Sequence, residues 1–319
     1  MNFEITDLDG ITHTFDTENF ESAIIHVDCM DGMSLISDSS IDMVLCDLPY
    51  GITDHLWDVK IPVDNLWKQY RRIVKKNGRI VLFAVQPFTT ELIASNPREF
   101  SHMLYWKKNT ATHWLSNDKI PLRTIEEIIV FNCTLNSGSH GCIRRYMLGE
   151  LEKVGIRPSD TKQYFKNGGA HHWFRDGSEF RIPTKENYEK LQKTGYFKKP
   201  YSALRAEYDA ENKDLVYNKN SNFDDFLAFQ SETNVTRIHP TQKPLALCEL
   251  LIQTYSNVGD TILDNCLGSG TTAIAAYHAH RNFIGFEKDD NFFKSATKRL
   301  NAAKAQTSLF DDVQIGGEN

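Results

Sequence analysis

An aspartate, a proline and a tyrosine close an apolar run in the first half of the chain. Ile41–Cys46 (IDMVLC) gives way to Asp47-Leu48-Pro49-Tyr50. These residue types suit chemistry at an exocyclic amino group. The nitrogen lone pair of such a group is delocalised into its ring, which makes it a poor nucleophile. Two acceptors that hold both of its hydrogens pull the nitrogen toward tetrahedral geometry and free the lone pair. Asp47 and a backbone carbonyl at Leu48 or Pro49 can supply them. Pro49 biases residue 48 to an extended conformation, and Tyr50 offers a ring on which an extruded base can stack. The bland alternative is a polar strand-end turn, a common use of D-x-P-x.

A second set of residues lies near the other end. Thr261–Leu263 reads as a strand that stops at Asp264, followed by Gly268-Ser269-Gly270 and a helix over Thr271–Ala279. A strand over Asn282–Phe286 then ends in Glu287. This is a βαβ unit with a ligand loop at its first turn. Glycines let the backbone approach a ligand closely, and a helix N-terminus offers free N–H groups to a carboxylate or phosphate. Glu287 is placed to accept from both ribose hydroxyls. The third glycine of the dinucleotide fingerprint is absent, with Ala273 in its place. A nucleoside with a small charged tail therefore fits better than a dinucleotide, which stays open. S-adenosylmethionine meets that description: its amino group wants an acceptor such as Asp264, and its carboxylate wants the loop N–H groups. The alternative is a glycine-rich connection with no ligand.

The elements that must position these residues alternate. Ala23–Val27, Arg79–Val85, Met103–Trp106 and Glu127–Phe131 are further strand candidates. Leu66–Lys75 has helical spacing, with Leu66, Tyr70, Ile73 and Val74 on one face, and stops at Lys76-Asn77-Gly78. Helices are expected over Leu245–Tyr255 and Asn291–Ala303, with a frayed tail from Gln306. The alternation predicts an α/β fold with a mostly parallel, doubly wound sheet. From 133 to 236 it breaks down, apart from a helix over Lys185–Thr194, and a stretch that long marks an insertion. The expected divisions are 1–132, 133–236, 237–305 and a tail, 306–319.

Composition narrows the class. The 319 residues are 40% hydrophobic and 24% charged, an ordinary globular balance. No run approaches the about 18 apolar residues of a membrane span, and the acidic N-terminus has no secretory h-region. Six scattered cysteines without a CxxC pair predict a reduced, cytoplasmic protein lacking structural zinc or disulfides. His171-His172 and His278-x-His280 lack the spacing and acid of a metal site, so no metal is expected. The net charge of −6 conceals a patch: residues 139–205 hold 14 Lys/Arg against 7 Asp/Glu, whereas 206–236 hold 2 against 7. Ten aromatics lie in the basic stretch, among them Tyr146, Tyr164, Phe165, Trp173, Phe174 and Phe197. Basic residues interleaved with aromatics suit a polyphosphate bearing stackable bases. A solvated surface over a small aromatic core is the competing reading. Lys107, Lys108 and Arg123, at expected strand ends, are candidates for phosphate contacts or for a solvated rim.

Together these segments resemble the amino-group DNA methyltransferases. Asp47-Leu48-Pro49-Tyr50 is similar to their D/N/S-P-P-Y motif, and Asp264–Thr272 (DNCLGSGTT) to their D-x-F-x-G-S-G-T loop. His239-Pro240-Thr241-Gln242-Lys243-Pro244 matches their H-P-T-Q-K-P segment letter for letter. The order of catalytic motif, variable region, HPTQKP and cofactor loop resembles the permuted β group. The resemblance implies a Rossmann-like sheet of seven strands, one antiparallel, and methyl transfer from S-adenosylmethionine to N6 of adenine in duplex DNA by base flipping. It assigns Asp47, Pro49 and Tyr50 to catalysis. Asp264, Gly268, Ser269 and Gly270 match the positions around the methionine moiety, Glu287 the ribose acid and Asp28 the acid reaching the adenine. Thr241 and Lys243 match the segment closing over the cofactor. Residues 133–236 sit where the family keeps its target-recognition region, with Arg144 and Arg145 candidates for DNA contact. Leu48 replaces the first proline, and Asn265 and Cys266 replace Pro and Phe, which removes the aromatic packing expected at the loop. Asp at position 47 favours adenine within the family over N4 of cytosine. A DNA-binding protein of this fold without turnover, and methylation of RNA or a protein amide, are the readings from other classes. A prokaryotic or phage origin, a homodimer and a cognate restriction endonuclease belong to the same set of expectations.

Overall fold

The computed structural model describes residues 3–15, 22–51, 58–112, 119, 121–133, 141–174, 180–212, 224–231 and 242–315. In chain order these form a hairpin, β1 (Phe3–Thr6) and β2 (Thr12–Phe15), then β3 (Ala23–His26), α1 (Cys29–Leu35), β4 (Ile41–Asp47), α2 (Val63–Ile73), β5 (Val74–Ala84), α3 (Phe88–Ser95), β6 (Phe100–Thr112) and β7 (Arg123–Asn132). The middle of the chain carries α4 (Gly141–Val154), the single turn α5 (Thr161–Tyr164), α6 (Lys185–Gln192) and α7 (Tyr201–Asn212). After β8 (Phe226–Ala228) come α8 (Leu245–Tyr255), β9 (Thr261–Asp264), α9 (Thr271–His278), β10 (Asn282–Glu287) and α10 (Asp290–Ile315).

Eight strands form one sheet in the order β3-β10-β9-β4-β5-β7-β6-β8. β7 alone runs against its neighbours, antiparallel to both β5 and β6, while β8 lies parallel to β6. The expected single antiparallel strand is therefore present, but the strand count is eight rather than seven. The extra strand comes from the 133–236 stretch, whose end returns to the sheet edge. All four residues of β9 are buried, and β5 is buried along most of its length. Such apolar runs need cover on both faces. On one face α2 contributes Leu66, Trp67, Tyr70 and Ile73, each at most 1% exposed, beside Met33 of α1 and Leu92 of α3. On the other face α8, α9 and α10 contribute Leu247, Leu251, Ile274, Ala275, Ala296 and Leu300.

Along the order of the sheet, β4 leads outward to β5 on one side, while β9 leads outward to β10 on the other. β4 and β9 are adjacent and parallel, with Met43 opposite Ile262 and Val44 opposite Leu263. This is the topological switch point, where doubly wound sheets open a crevice at their carboxyl ends. Asp47 ends β4 and Asp264 ends β9, so the fold delivers both acids from opposite halves of the chain to that crevice.

Several sequence expectations shift. The helix expected to run to Lys75 ends at Ile73, and the following strand starts at once, passing through Asn77 at φ 67. The C-terminal helix continues to Ile315, where a frayed tail was expected from Gln306. The N-terminal hairpin gave no sequence signal. It turns on Asp7, whose Oδ1 accepts from Asp9 N at 3.0 Å and Ile11 N at 2.8 Å. In the insert most of the aromatics are structural. Trp173, Phe174, Phe180, Tyr188 and Phe197 pack with Ile143, Met147, Leu151, Leu191 and Leu204 into a separate small core. Burial removes these rings from any role in stacking on bases; Tyr164, 54% exposed, remains at the surface.

Candidate active site

A single cavity of about 550 Å³ runs along the carboxyl ends of β3, β10, β9, β4 and β5. Its walls include Asp28, Asp264, Gly268, Ser269 and Glu287 at one end, then Asp47, Pro49 and Tyr50, then Lys108, Arg123, Glu126 and Lys243 at the other. Its size lies within the range of small-molecule and cofactor sites.

The first end is built from backbone and carboxylates. Gly270 sits at φ +76, and a Cβ there would stand 3.0 Å from that of Ala296, so the turn into α9 needs glycine. Gly270 itself lies behind the cavity wall, while Gly268 N donates to Glu287 Oε2 at 2.8 Å and Asp289 N to Oε1 at 2.8 Å. These two bonds fix the orientation of Glu287, and burial raises its carboxyl above the usual range. Asp264 Oδ1 accepts from Cys266 N at 3.1 Å, and burial pushes its carboxyl up to about 6. Asp28 caps α1 by accepting from Met30 N at 2.9 Å. The loop that lacks the family's aromatic is held by a polar contact instead: Tyr70 OH of α2 donates to Asn265 Oδ1 at 2.6 Å. Cys29, Cys46 and Cys266 crowd beneath it, and burial pushes the Cys46 thiol up to about 12. A thiol so held is no nucleophile.

The cavity thus offers a nucleoside with a cationic amino tail two carboxylates, on the adjacent strands β9 and β10, and the start of α9 in the same wall. Those donors and acceptors fit S-adenosylmethionine.

The second end is an ion chain. Tyr50 OH donates to Asp47 Oδ1, and Lys243 Nζ donates to Oδ2 at 2.6 Å. Lys243 Nζ also stands 3.2 Å from Glu126 Oε2, and Lys108 Nζ donates to Glu126 Oε1 at 2.8 Å. Burial raises the Asp47 carboxyl, with the charge of Glu126 adding to it and Lys243 opposing it. Burial works against the Lys243 ammonium too, but Asp47 and Glu126 outweigh it and hold the group protonated. For Glu126, the two lysines outweigh burial and keep the carboxyl low. The Tyr50 ring faces Phe88 with centroids 5.6 Å apart.

Placement of the remaining candidates varies. Lys243, expected over the cofactor, reaches Asp47. Lys108, expected at a phosphate or on a rim, is 8% exposed and committed to Glu126. Lys107 is half-buried and donates to Thr124 Oγ1 at 2.6 Å, outside the cavity wall. Arg123 lies on that wall and Arg144 on α4, away from it. Thr241 and the side chain of Arg145 lie outside the described residues, as do His239 and Pro240. Sequence reasoning missed Glu126 as a site residue. The available signal was an acid heading an apolar strand, EEIIVF, where burial demands a cationic partner.

Comparison with known proteins agrees with this geometry. The family profile described as DNA methylase matches residues 41–298. The Type II methyltransferase M2.MboI of Moraxella bovis is 26% identical over 285 residues, covering 89% of this chain and 88% of its own. M2.DpnII of Streptococcus pneumoniae is 47% identical over a local stretch of 64 residues, 20% of this chain and 24% of that one. Among solved structures, the M1.HpyAVI–SAM complex superposes with a TM-score of 0.50 at 20% identity, covering 87% of this chain and 98% of that one. The PvuII DNA methyltransferase, described as cytosine-N4-specific, does so at 0.52 and 14%, covering 88% and 86%. A profile spanning most of the chain, from the strand that carries Asp47 to the helix behind Gly270, establishes that the chain belongs to the N6/N4 DNA methylase family.

Proposed function

We propose that the chain transfers a methyl group from S-adenosylmethionine to N6 of an adenine flipped out of duplex DNA, at a specific site. The observation that carries this reading is the single cavity joining the Glu287–Asp264 end to Asp47 and Tyr50. When bound, the cofactor supplies an electrophilic methyl group on a sulfonium. Glu287 accepts from the ribose hydroxyls, Asp264 holds the methionine amino group, and the N–H groups at the start of α9 receive the carboxylate. Asp28, capping α1 just past β3, serves the adenine. Asp47 accepts one hydrogen of the target amino group and a carbonyl of Leu48 or Pro49 the other, which frees the nitrogen lone pair. The Tyr50 ring stacks on the base. Catalysis rests on orientation and on acceptors aimed at the charge growing on the nitrogen. Burial raises the affinity of the Asp47 carboxylate for a proton, so it can take the one that nitrogen sheds. No covalent enzyme intermediate is required.

Residues 133–236 are the target-recognition region in this reading, supported by the excess of 14 Lys/Arg over 7 Asp/Glu within 139–205. The Type II names of the relatives support a cognate endonuclease reading the same site. Sequencing with modification detection, on DNA from cells expressing the protein, tests the whole assignment. N6-methyladenine at one recurring motif is expected. N4-methylcytosine would replace the base, and unmodified DNA in the presence of cofactor binding would leave a DNA-binding protein without turnover.

A further inference from the structure

The Asp47 carboxylate is committed at both oxygens, Oδ1 to the Tyr50 hydroxyl and Oδ2 to Lys243 Nζ. Each carboxylate oxygen can accept a further hydrogen bond, but a target amino group arriving there competes with the donors already in place. The Tyr50 hydroxyl belongs to the ring that receives the base, which leaves the lysine to move. Lys243 is only 7% exposed, so its ammonium needs an acceptor close by if it is to leave Asp47 without becoming an unpaired buried charge.

Glu126 meets that need. Lys108 holds its Oε1 at 2.8 Å, while its buried Oε2 lies 3.2 Å from Lys243 Nζ yet accepts no well-formed hydrogen bond from any described residue. A buried carboxylate oxygen within ion-pair reach of an ammonium, but outside hydrogen-bond geometry, is an uncompleted contact. We infer that Glu126 is the second seat of Lys243: capture of the target amino group at Asp47 Oδ2 shifts the ammonium onto Glu126 Oε2, and Lys108 holds Glu126 in place to receive it. The cluster keeps two carboxylates and two ammoniums in both arrangements, so the shift moves no charge out of the cavity. Glu126 is a positioning residue, acting through Lys243. Before capture the lysine keeps Asp47 paired; after capture Asp47 is freed for the amino group.

The inference rests on the methyl-transfer reading above. The test uses full-length protein and a duplex carrying the motif found by sequencing. E126Q keeps the shape but removes the charge that draws Lys243 away. Its kcat should fall about tenfold or more, with KM for DNA and affinity for cofactor within about twofold of wild type. K243M, which leaves Asp47 and Glu126 short of a cation, should itself lower turnover, and adding E126Q to it should cost nothing further, because the effect of Glu126 needs the lysine. Equal fractional losses from E126Q in both backgrounds, or an unimpaired E126Q, would each overturn the inference. Should E126Q fail to fold, K108Q loosens Glu126 and should lower kcat in the same lysine-dependent way. Wild-type protein that methylates no DNA would sink the parent reading and this one together; active wild type with an indifferent E126Q sinks only this one.

Discussion

The Tyr70 hydroxyl donates to Asn265 Oδ1 at 2.6 Å, with both side chains no more than 1% exposed. It ties the helix between β4 and β5 to the loop after β9, across the two halves of the permuted chain. Removing it by Y70F leaves the Asn265 oxygen buried without that donor, which costs about 1–3 kcal/mol. The expected result is a lower thermal midpoint and weaker cofactor binding, since the loop that carries Gly268 loses its brace. An unchanged midpoint and calorimetric affinity would show that the contact holds nothing.

D47A should abolish methyl transfer while cofactor affinity stays close to wild type, because the proposed role of Asp47 is at the target nitrogen and not at the methionine end. Transfer within about tenfold of wild type, a barrier change of only ~1.4 kcal/mol, would remove Asp47 from the chemistry.

Cofactor binding should depend on pH through Asp264. Burial holds this carboxyl at about 6, and a cationic amino group binds its ionised form. Affinity should be level above that pH and fall as pH drops through it. Stability runs the other way: the folded form keeps the proton more tightly than the unfolded chain, so the cost of burying the charge lessens as pH falls through about 6. Calorimetric titration across this range checks both, and D264N should bind weakly with no step.

E287A should weaken the cofactor by roughly 1.5–3 kcal/mol, the loss of a carboxylate accepting from two hydroxyls. It should also loosen the turn, since Gly268 N and Asp289 N both donate to that side chain. Unchanged cofactor affinity in titration calorimetry would take Glu287 out of the ribose site.

DNA affinity should be salt-dependent through the insert, though less than its charge suggests. Lys153, Arg157, Lys190, Lys199 and Arg205 are each paired with an acid of the insert, four of those acids standing only three or four residues from their partner. Each neutralised phosphate contributes a slope of about −0.9 in log affinity against log salt, so R144A with R145A should flatten it by up to about 2. If either arginine reads a guanine edge, discrimination at one position collapses instead. No change in slope or specificity would move the DNA contact to the cavity rim near Arg123.

What was legible in the sequence was local. Asp47, Asp264, Gly268 and Glu287 each sit where a strand ends, and strand-then-turn is written in consecutive residues. The sheet followed for the same reason, from apolar runs alternating with a 3.6-residue period. The lysine chain was not legible, because Lys243 is remote in sequence from Glu126 and Lys108, and only the fold brings it to the pair that β6 and β7 hold together. Composition left the insert's rings open between two readings: Phe174 and Phe197 among basic residues read alike whether they stack on bases or fill a core, and only burial separates the two. The hairpin at Phe3–Phe15 escaped because four-residue strands carry too little pattern to register.

β8 has a consequence for how such a protein can be re-targeted. The chain leaves the sheet after β7 and comes back to it at β8, which pairs with β6, so the insert departs from and returns to neighbouring strands. The seams of an exchangeable cassette therefore lie after Cys133 and before Asp224. A transplant cut at these joints leaves the strands bearing Lys108 and Glu126 with their own edge intact; one cut further along, at the HPTQKP segment, carries off the strand that shields them and exposes β6 as an open edge ready to pair with a stranger.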